Sequence, residues 1–375
     1  MLNSDLARTL APIAEARTLP AAAYTSEDVF RREQAEVFAR QWLCVGRVAD
    51  IAEPGSYFVK QLGADSVVLV RSADGLVRAF HNVCRHRGSR LVDTASGHGL
   101  TRLLCPYHSW SYNLDGTLQN APRMGAGFCK GDFPLQAVRM EMHEGFIFLQ
   151  LDPNGPALAE HFAELPDLRP YRIPELVCGR HIEYEVAANW KLICENYSEC
   201  YHCAHAHPQL NRLSEVIARS ERGSDNGERF SGGPMQLREG VATMSMSGDS
   251  NLPTIPGLSH ADSRIVHYYL VYPNMMLSPH PDYVLTHTVW PLAPGRTRVI
   301  CEWLFTAEAV TSSDFDPADV VELWDLTNRQ DWALCERAQL GAMSRGHRPG
   351  PYQANEDCVH AFDRWYAQRM APLRS

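Results

Sequence analysis

No uninterrupted apolar run in the 375 residues approaches the eighteen or so that a membrane span requires, so no transmembrane helix is expected. The first residues, Met1 to Arg8, lack the long apolar core of a secretory signal. Basic residues do not predominate. Lys and Arg number 35 against 44 acids, for a formal net charge of −9, which leaves no electrostatic footprint for nucleic acid. That balance is compatible with a cationic small molecule. The 11 cysteines are odd in number and follow no short repeating frame. This excludes the disulfide scaffold of small secreted domains and fits a reducing compartment, here expected to be the cytoplasm. No internal repeat is visible. Apolar content is not scarce: at 45% it is ample for a large core, and the length suggests about two domains.

The most informative residues are two mixed pairs. Cys84-Arg85-His86 is followed, after eighteen residues, by Cys105-Pro106-Tyr107-His108. Each arm offers one thiolate and one imidazole. Two thiolates on one iron and two imidazoles on the other are the ligand set of a Rieske [2Fe–2S] centre, whose neutral imidazoles raise its potential above that of an all-cysteine cluster. Structural zinc also accepts two Cys and two His. Zinc fingers, however, pair like with like along the chain, and each arm here is mixed. Both arms follow strand-like runs, Leu76–Val83 and Leu103-Leu104, so two hairpin tips are expected to clamp a flat cluster.

A second constellation lies at Glu199-Cys200-Tyr201-His202-Cys203, followed by His205 and His207-Pro208. Glu199 and His202 stand three apart and would share a helix face. His202 and His207 would diverge by about 140° on an unbroken α-helix. They converge only if the helix ends or bulges between them, and Pro208 disfavours the α conformation for His207. His205 competes on spacing alone. Cys200 and Cys203 form a C-x-x-C, read here as helix residues near a metal and not as a redox disulfide. Two imidazoles and one carboxylate make a facial triad for non-haem Fe(II), with open positions for O₂ and substrate. Candidates for a distant carboxylate are Glu322, Asp325, Asp331 and Glu336, and spacing does not choose among them.

Residues 1–41 read as an N-terminal helical segment packing on the catalytic domain, with a cap at Ser26 and an amphipathic helix from Phe30 to Gln41. Residues 42–155 read as short strands, and Asp152-Pro153-Asn154-Gly155-Pro156 marks a boundary. Residues 156–375 mix both element types. Strands are expected at 181–186, 264–272, 283–290 and 298–305, and helices around 317–342 and 355–370. The fold class is α+β, with an antiparallel sheet covered by helices. A Gly-, Ser- and Met-rich stretch at 220–262 is expected to be irregular, a lid or a surface insertion.

Asn82-Val83-Cys84-Arg85-His86-Arg87-Gly88 and Cys105-Pro106-Tyr107-His108-Ser109-Trp110 resemble the all-β cluster domain of Rieske non-haem iron oxygenases. Asn189 to Pro208, and the run Asp331-Trp332-Ala333-Leu334-Cys335-Glu336, resemble their catalytic domain. The resemblance spans about residues 40–370 and implies a helix-grip catalytic domain. It implies Cys84, His86, Cys105 and His108 on the cluster, and His202, His207 and Asp331 on mononuclear Fe(II). It implies an oxygenase component fed by a separate NAD(P)H-dependent flavin or ferredoxin-type reductase, using O₂ on a small molecule. It further implies a homotrimer in which Glu199 bridges His202 to the neighbouring subunit's cluster histidine, the counterpart of His108. Many relatives carry Asp where Glu199 stands. The run from Glu199 to Cys203 most resembles the branch that hydroxylates or N-demethylates quaternary ammonium compounds such as glycine betaine, carnitine, choline and proline betaine. Tyr201, Trp332, Tyr283 and Trp290 are candidates for holding such a cation by their ring faces. The alternatives are an aromatic-ring-hydroxylating dioxygenase and, from a different class, a Rieske electron-transfer protein with an inactive second site.

Overall fold

The structure, a computed structural model, describes residues 2–215 and 224–371; residues 220–223 of the Gly-rich stretch therefore lie outside the described residues. The chain divides into two compact units. One is Phe38–Leu158, and the other combines Met1–Val37 with Ala159–Ser375.

The unit Phe38–Leu158 is built from antiparallel β-strands. Val77–His81, Asp65–Arg71, Tyr57–Leu62 and Ser96–Gly97 lie side by side in that order. The β-branched run in Asp65–Arg71 is buried from Ser66 to Val70, as befits a strand inside the unit. A second sheet aligns Leu103–Leu104, Ser111–Tyr112 and Leu118–Asn120, and a third places Phe146–Gln150 between Leu43–Arg47 and Arg139–His143. The core gathers Val68, Val70, Phe80, Leu103, Trp110 and Tyr112 around Cys84 and Cys105.

The other unit holds a six-stranded antiparallel sheet. Its order is Val177–Val186, Arg296–Phe305, Val284–Ala293, Met275–Pro279, Ile265–Val271 and Phe230–Gln236. Side chains alternate between its faces. His287 pairs with Cys301 on one side and Met276 on the other, and Leu285 with Trp303 and Ser278, so these residues share one face. The long helix Ala318–Ala342 covers that face: Asn328 donates to Cys301 Sγ at 3.7 Å, and Tyr184 donates to Asp325 at 2.7 Å.

Part of the stretch expected to be irregular is an edge strand, Phe230–Gln236. Its two glycines and one proline hide the strand signal. Gly232 is needed there, because a Cβ would sit 2.0 Å from the Tyr268 carbonyl oxygen. The rest is anchored. Thr243 donates to Asp282 at 2.6 Å, and the Met244 carbonyl accepts from Tyr283 at 2.7 Å.

Ser26 caps the helix Glu27–Glu33, which passes into a π-turn at Gln34–Phe38 instead of continuing to Gln41. This segment delivers Glu33, fully buried, to Trp190, Lys191 and Tyr366 at 2.9, 2.5 and 2.6 Å. Beside it, Tyr24 donates to Glu195 at 2.9 Å and Tyr352 to Asp363 at 2.6 Å. Burial pushes Asp363 up to about 7, and burial together with Asp363 raises Glu195. A carboxyl raised on folding holds its proton in the native state where the unfolded chain has lost it. Stability is then present at low pH and declines as pH rises from about 4 to about 7. For Asp363 alone that decline amounts to at most roughly 4 kcal/mol. Denaturant unfolding of the wild type is expected to show this decline, and Asp363→Asn is expected to flatten it. An unchanged slope in the variant removes Asp363 as its source.

Candidate active site

The two Cys-His arms fold alike. The Cys84 carbonyl accepts from Gly88 N at 3.0 Å, and Cys84 N–H donates to Ser89 O at 2.8 Å; the Cys105 carbonyl accepts from Ser109 N at 3.1 Å, and Cys105 N–H donates to Trp110 O at 2.8 Å. The fourth residue after each cysteine has positive φ, 73° at Gly88 and 59° at Ser109. Each loop thus curls around its own cysteine. Both sulfurs are buried, and the imidazole rings of His86 and His108 lie 4.7 Å apart. Trp110 stacks on His86 at 4.9 Å. The Tyr112 hydroxyl lies 3.3 Å from Cys84 Sγ and accepts from Arg85 N at 2.9 Å.

Burial, with Cys105 nearby, holds the Cys84 thiol above its usual range despite the Tyr112 contact. His108 Nδ1 is buried with no hydrogen-bond partner. Two crowded buried sulfurs and an orphaned imidazole nitrogen are relieved by a cationic iron cluster, so the residues fit a [2Fe–2S] group. Cys84→Ser is expected to abolish the brown colour and the cluster's EPR signal. A normal Rieske signal in that variant would remove Cys84 from the ligand set.

In the other unit, Asn189 caps the helix Trp190–Tyr197 by accepting from Lys191 N at 3.0 Å. The helix stops at Ser198, whose hydroxyl donates to Cys194 O at 2.7 Å. Glu199 to His202 therefore form a turn, not the helix face expected from their spacing. His202 begins the short helix Cys203–Ala206, and His207 ends it with φ −124° and ψ 70°, outside the α region as Pro208 requires. His205 is exposed. Asp331 comes from the long helix.

These breaks bring His202, His207 and Asp331 together. His202 Nε2 is 3.2 Å from His207 Nε2, and Asp331 Oδ1 is 2.8 Å from His207 Nε2 and 3.2 Å from His202 Nε2. One face of an octahedron with ligands about 2.1 Å from the metal has edges of about 3.0 Å, so this triangle fits a facial triad. The other acids are engaged elsewhere or exposed. Asp325 binds Tyr184 and Arg329, Glu336 accepts from Ala187 N at 3.1 Å, and Glu322 is exposed.

The outer nitrogens are held too. Glu199 Oε1 takes His202 Nδ1, its second oxygen takes the Tyr201 and His202 backbone N–H groups, and Gln330 Oε1 takes His207 Nδ1 at 2.7 Å. Such partners fix the tautomer that leaves each Nε2 available to a metal. Burial opposes an imidazolium at His202, but hydrogen bonds to Asp331 and Glu199 prevail and raise it to about 10. Burial likewise opposes the Asp331 carboxylate, and the two histidines still hold it below its usual range. A centre that attracts a proton this strongly attracts a divalent cation for the same electrostatic reason.

The four aromatic candidates fare differently. Tyr201 is 66% exposed. Trp290 lies on the sheet face opposite His287, three positions away along the strand. Tyr283 is fully buried beneath His280, ring to ring at 4.2 Å, and its hydroxyl is used by Met244 O and Trp324 Nε1. Tyr201 and Trp290 are thus corrected away from direct contact with a ligand at the triad, and the Tyr283 hydroxyl is engaged within the protein. Trp332 follows Asp331 but packs its ring on Tyr184 at 5.9 Å. The aromatic groups leading away from the triad are ones that the sequence pattern does not single out. His287 feels the Asp331 charge, Tyr197 lies 6.3 Å from His287 and 6.4 Å from Tyr268, and Tyr268 lies 6.0 Å from both His280 and Trp324. Burial lowers His287 to about 4 and His280 to about 3, so both are neutral near pH 7.

Comparison with known proteins agrees with this layout. Residues 41–139 match the model of the Rieske [2Fe-2S] domain, and residues 174–372 match that of the ring hydroxylating alpha subunit catalytic domain. The chain is 33% identical to the glycine betaine monooxygenase oxygenase subunit of Pseudomonas aeruginosa, over 94% of this chain and 89% of that one. It is 31% identical to the carnitine monooxygenase oxygenase subunit of Escherichia coli, over 89% and 86% of the two chains. A crystal structure of the quaternary ammonium Rieske monooxygenase CntA superposes with a TM-score of 0.79 at 26% identity, covering 98% of each chain. Described residues include no helix long and apolar enough to cross a membrane. With a Rieske domain, a second unit carrying two imidazoles and a carboxylate on one triangle, and relatives matched over nearly their whole length, the chain belongs to the Rieske non-haem iron oxygenases, as an oxygenase alpha subunit that works with a [2Fe–2S] cluster and a mononuclear iron.

Proposed function

We propose that this enzyme is a monooxygenase that hydroxylates, and thereby N-demethylates, a small quaternary ammonium compound of the betaine type. The observation that carries this reading is the aromatic row Tyr197, Tyr268 and Trp324, joined toward the triad by His287, which feels the Asp331 charge; His280 and His287 are uncharged among them. Ring faces attract a quaternary cation by about 0.5–2 kcal/mol each, and neutral imidazoles do not repel it. The named activities of the relatives point the same way.

In this reading Cys84, His86, Cys105 and His108 hold the cluster, and His202, His207 and Asp331 hold the iron. Bound iron supplies the activation of O₂ using electrons delivered through the cluster. The chain's own residues supply position. Glu199 and Gln330 orient the two imidazoles, Ser278 orients Tyr197 through a 2.7 Å hydroxyl contact, and the aromatic row sets a methyl group toward the triad. Electrons come from a separate NAD(P)H-dependent reductase. The working form is a cytoplasmic homotrimer, in which Glu199 also accepts a hydrogen bond from the neighbouring subunit's cluster histidine. The exposed Tyr201 next to Glu199 suits such an interface.

The test is a panel of glycine betaine, carnitine, choline, proline betaine and naphthalene, supplied with a compatible reductase and NAD(P)H. Coupled O₂ uptake with formaldehyde release from a methylated ammonium compound is expected. Coupled oxidation of naphthalene alone would replace this reading with that of a ring dioxygenase.

A further inference from the structure

Among the described residues, Nε2 of His280 is a buried nitrogen without a hydrogen-bond partner. His280 stands in the turn Ser278-Pro279-His280-Pro281-Asp282-Tyr283, between the strands Met275–Pro279 and Val284–Ala293. A proline on each side restricts the backbone there, and His280 N–H donates to Tyr283 O at 2.9 Å. The ring is held as firmly. One face stacks on Tyr283 at 4.2 Å, and Tyr268 and Trp324 pack edge-on at 6.0 and 5.4 Å. Nδ1 lies 2.8 Å from Ser278 O. A carbonyl oxygen only accepts, so Nδ1 carries the ring proton and Nε2 presents a lone pair.

The ring stays neutral. Asp282, two residues on, commits its carboxyl to Thr243 at 2.6 Å and to Ser250. Among the described residues no carboxylate holds a second proton on His280, and burial pushes it down to about 3. A buried acceptor left without a donor is costly, and in native proteins such an atom has a reason. The substrate class proposed above narrows what the donor can be. A fully methylated nitrogen has no N–H. A carboxylate offers lone pairs only. A hydroxyl is the one polar hydrogen that such a molecule can bring.

We infer that His280 Nε2 accepts a hydrogen bond from a hydroxyl on the substrate's chain, so that the enzyme selects hydroxylated quaternary ammonium compounds over their deoxy counterparts. This rests on the reading of the aromatic row as the place where the quaternary cation binds. With a methyl group toward the triad, the chain of the substrate extends along Tyr268 to His280. Ser278 ties the two ends of the row together, holding His280 through its carbonyl and Tyr197 through its hydroxyl at 2.7 Å. A carboxylate placed at Nε2 would set lone pair against lone pair. Relief would need a second ring proton, which burial opposes. His280 is thus a specificity residue for a hydroxyl and not the partner of a betaine carboxylate.

The experiment uses the enzyme with both metals loaded, a compatible reductase and two substrate pairs. L-Carnitine and γ-butyrobetaine differ by one hydroxyl. Choline and propyltrimethylammonium exchange a hydroxyl for a methyl group. Coupled O₂ uptake gives kcat/KM for each, and iron content and the Rieske EPR signal check that every variant is loaded. Wild type is expected to favour the hydroxylated member by about tenfold, as one hydrogen bond to a buried neutral acceptor warrants. His280→Phe keeps a flat ring and removes the acceptor. It should cost the hydroxylated member about tenfold more than the deoxy member, so that the preference disappears. His280→Gln, whose amide oxygen accepts, should restore part of it. Equal use of both members by wild type overturns the acceptor role while the ammonium reading stands, as does turnover of glycine betaine alone. An equal loss on carnitine and γ-butyrobetaine in His280→Phe overturns it too, and marks a packing role or a carboxylate partner. Wild type that oxidises no quaternary ammonium compound removes the ammonium reading and the inference with it.

Discussion

Glu199→Gln is expected to keep both metals and to slow oxidation of the reduced cluster by orders of magnitude when O₂ and substrate are added. Within the chain the carboxylate holds His202 Nδ1 with one oxygen and two backbone N–H groups with the other. Gln preserves one acceptor oxygen for His202 Nδ1, while its amide nitrogen gives up the two backbone N–H contacts of the turn. It cannot accept from a histidine of a second subunit at the same time, because its other terminus is a donor. Glu199→Ala goes further. Losing the partner of a metal-binding imidazole costs about 10–100-fold in metal affinity, so Ala is expected to shed part of its iron as well. If Glu199 were only a turn-stabilising acid, Gln would turn over at a near-normal rate. Single-turnover cluster oxidation, scaled to the iron content of each variant, separates the outcomes.

The second large effect is at the triad. Asp331→Ala and His207→Ala are each expected to lose mononuclear iron on desalting and all oxygenase activity, with the Rieske EPR signal unchanged. Asp331 is the one carboxylate in the triangle, and it contacts both imidazoles at 2.8 and 3.2 Å. In the proposed reading, removing it takes away both a ligand and the charge that favours a cation. His205→Ala is the control and should retain iron. Iron retained in His207→Ala and lost in His205→Ala would place the second ligand at the wrong histidine.

The residues that announce themselves in the sequence do so because their chemistry is local. Cys84 with His86, and Cys105 with His108, sit two or three positions apart on one loop, so spacing alone carries their meaning. That His207 leaves the helical conformation was legible through Pro208, a constraint acting on the neighbouring residue. Asp331 was not separable from Asp325 or Glu336 by spacing, since all three lie on one helix and only the fold decides which meets the histidines. The aromatic row was beyond reach for the same reason. Tyr197 and Tyr268 meet across a helix and a strand, while Trp290 reads as a candidate until the strand register puts it on the far face. The turn at Glu199 was misread because nothing short of the Ser198 cap says that the helix stops there. That same turn brings Cys200 and Cys203 together as a disulfide, where the spacing had suggested two separate helix residues.

Whether the two metal centres work together on a betaine is decided by single turnover of the fully reduced, fully loaded protein with O₂ and glycine betaine, without reductase. Such protein should carry about three irons per chain. Its cluster should oxidise fast only when the betaine is present, with formaldehyde formed in proportion to the electrons lost. About two irons per chain, or a cluster that oxidises at the same rate without substrate and yields no formaldehyde, would contradict the assignment.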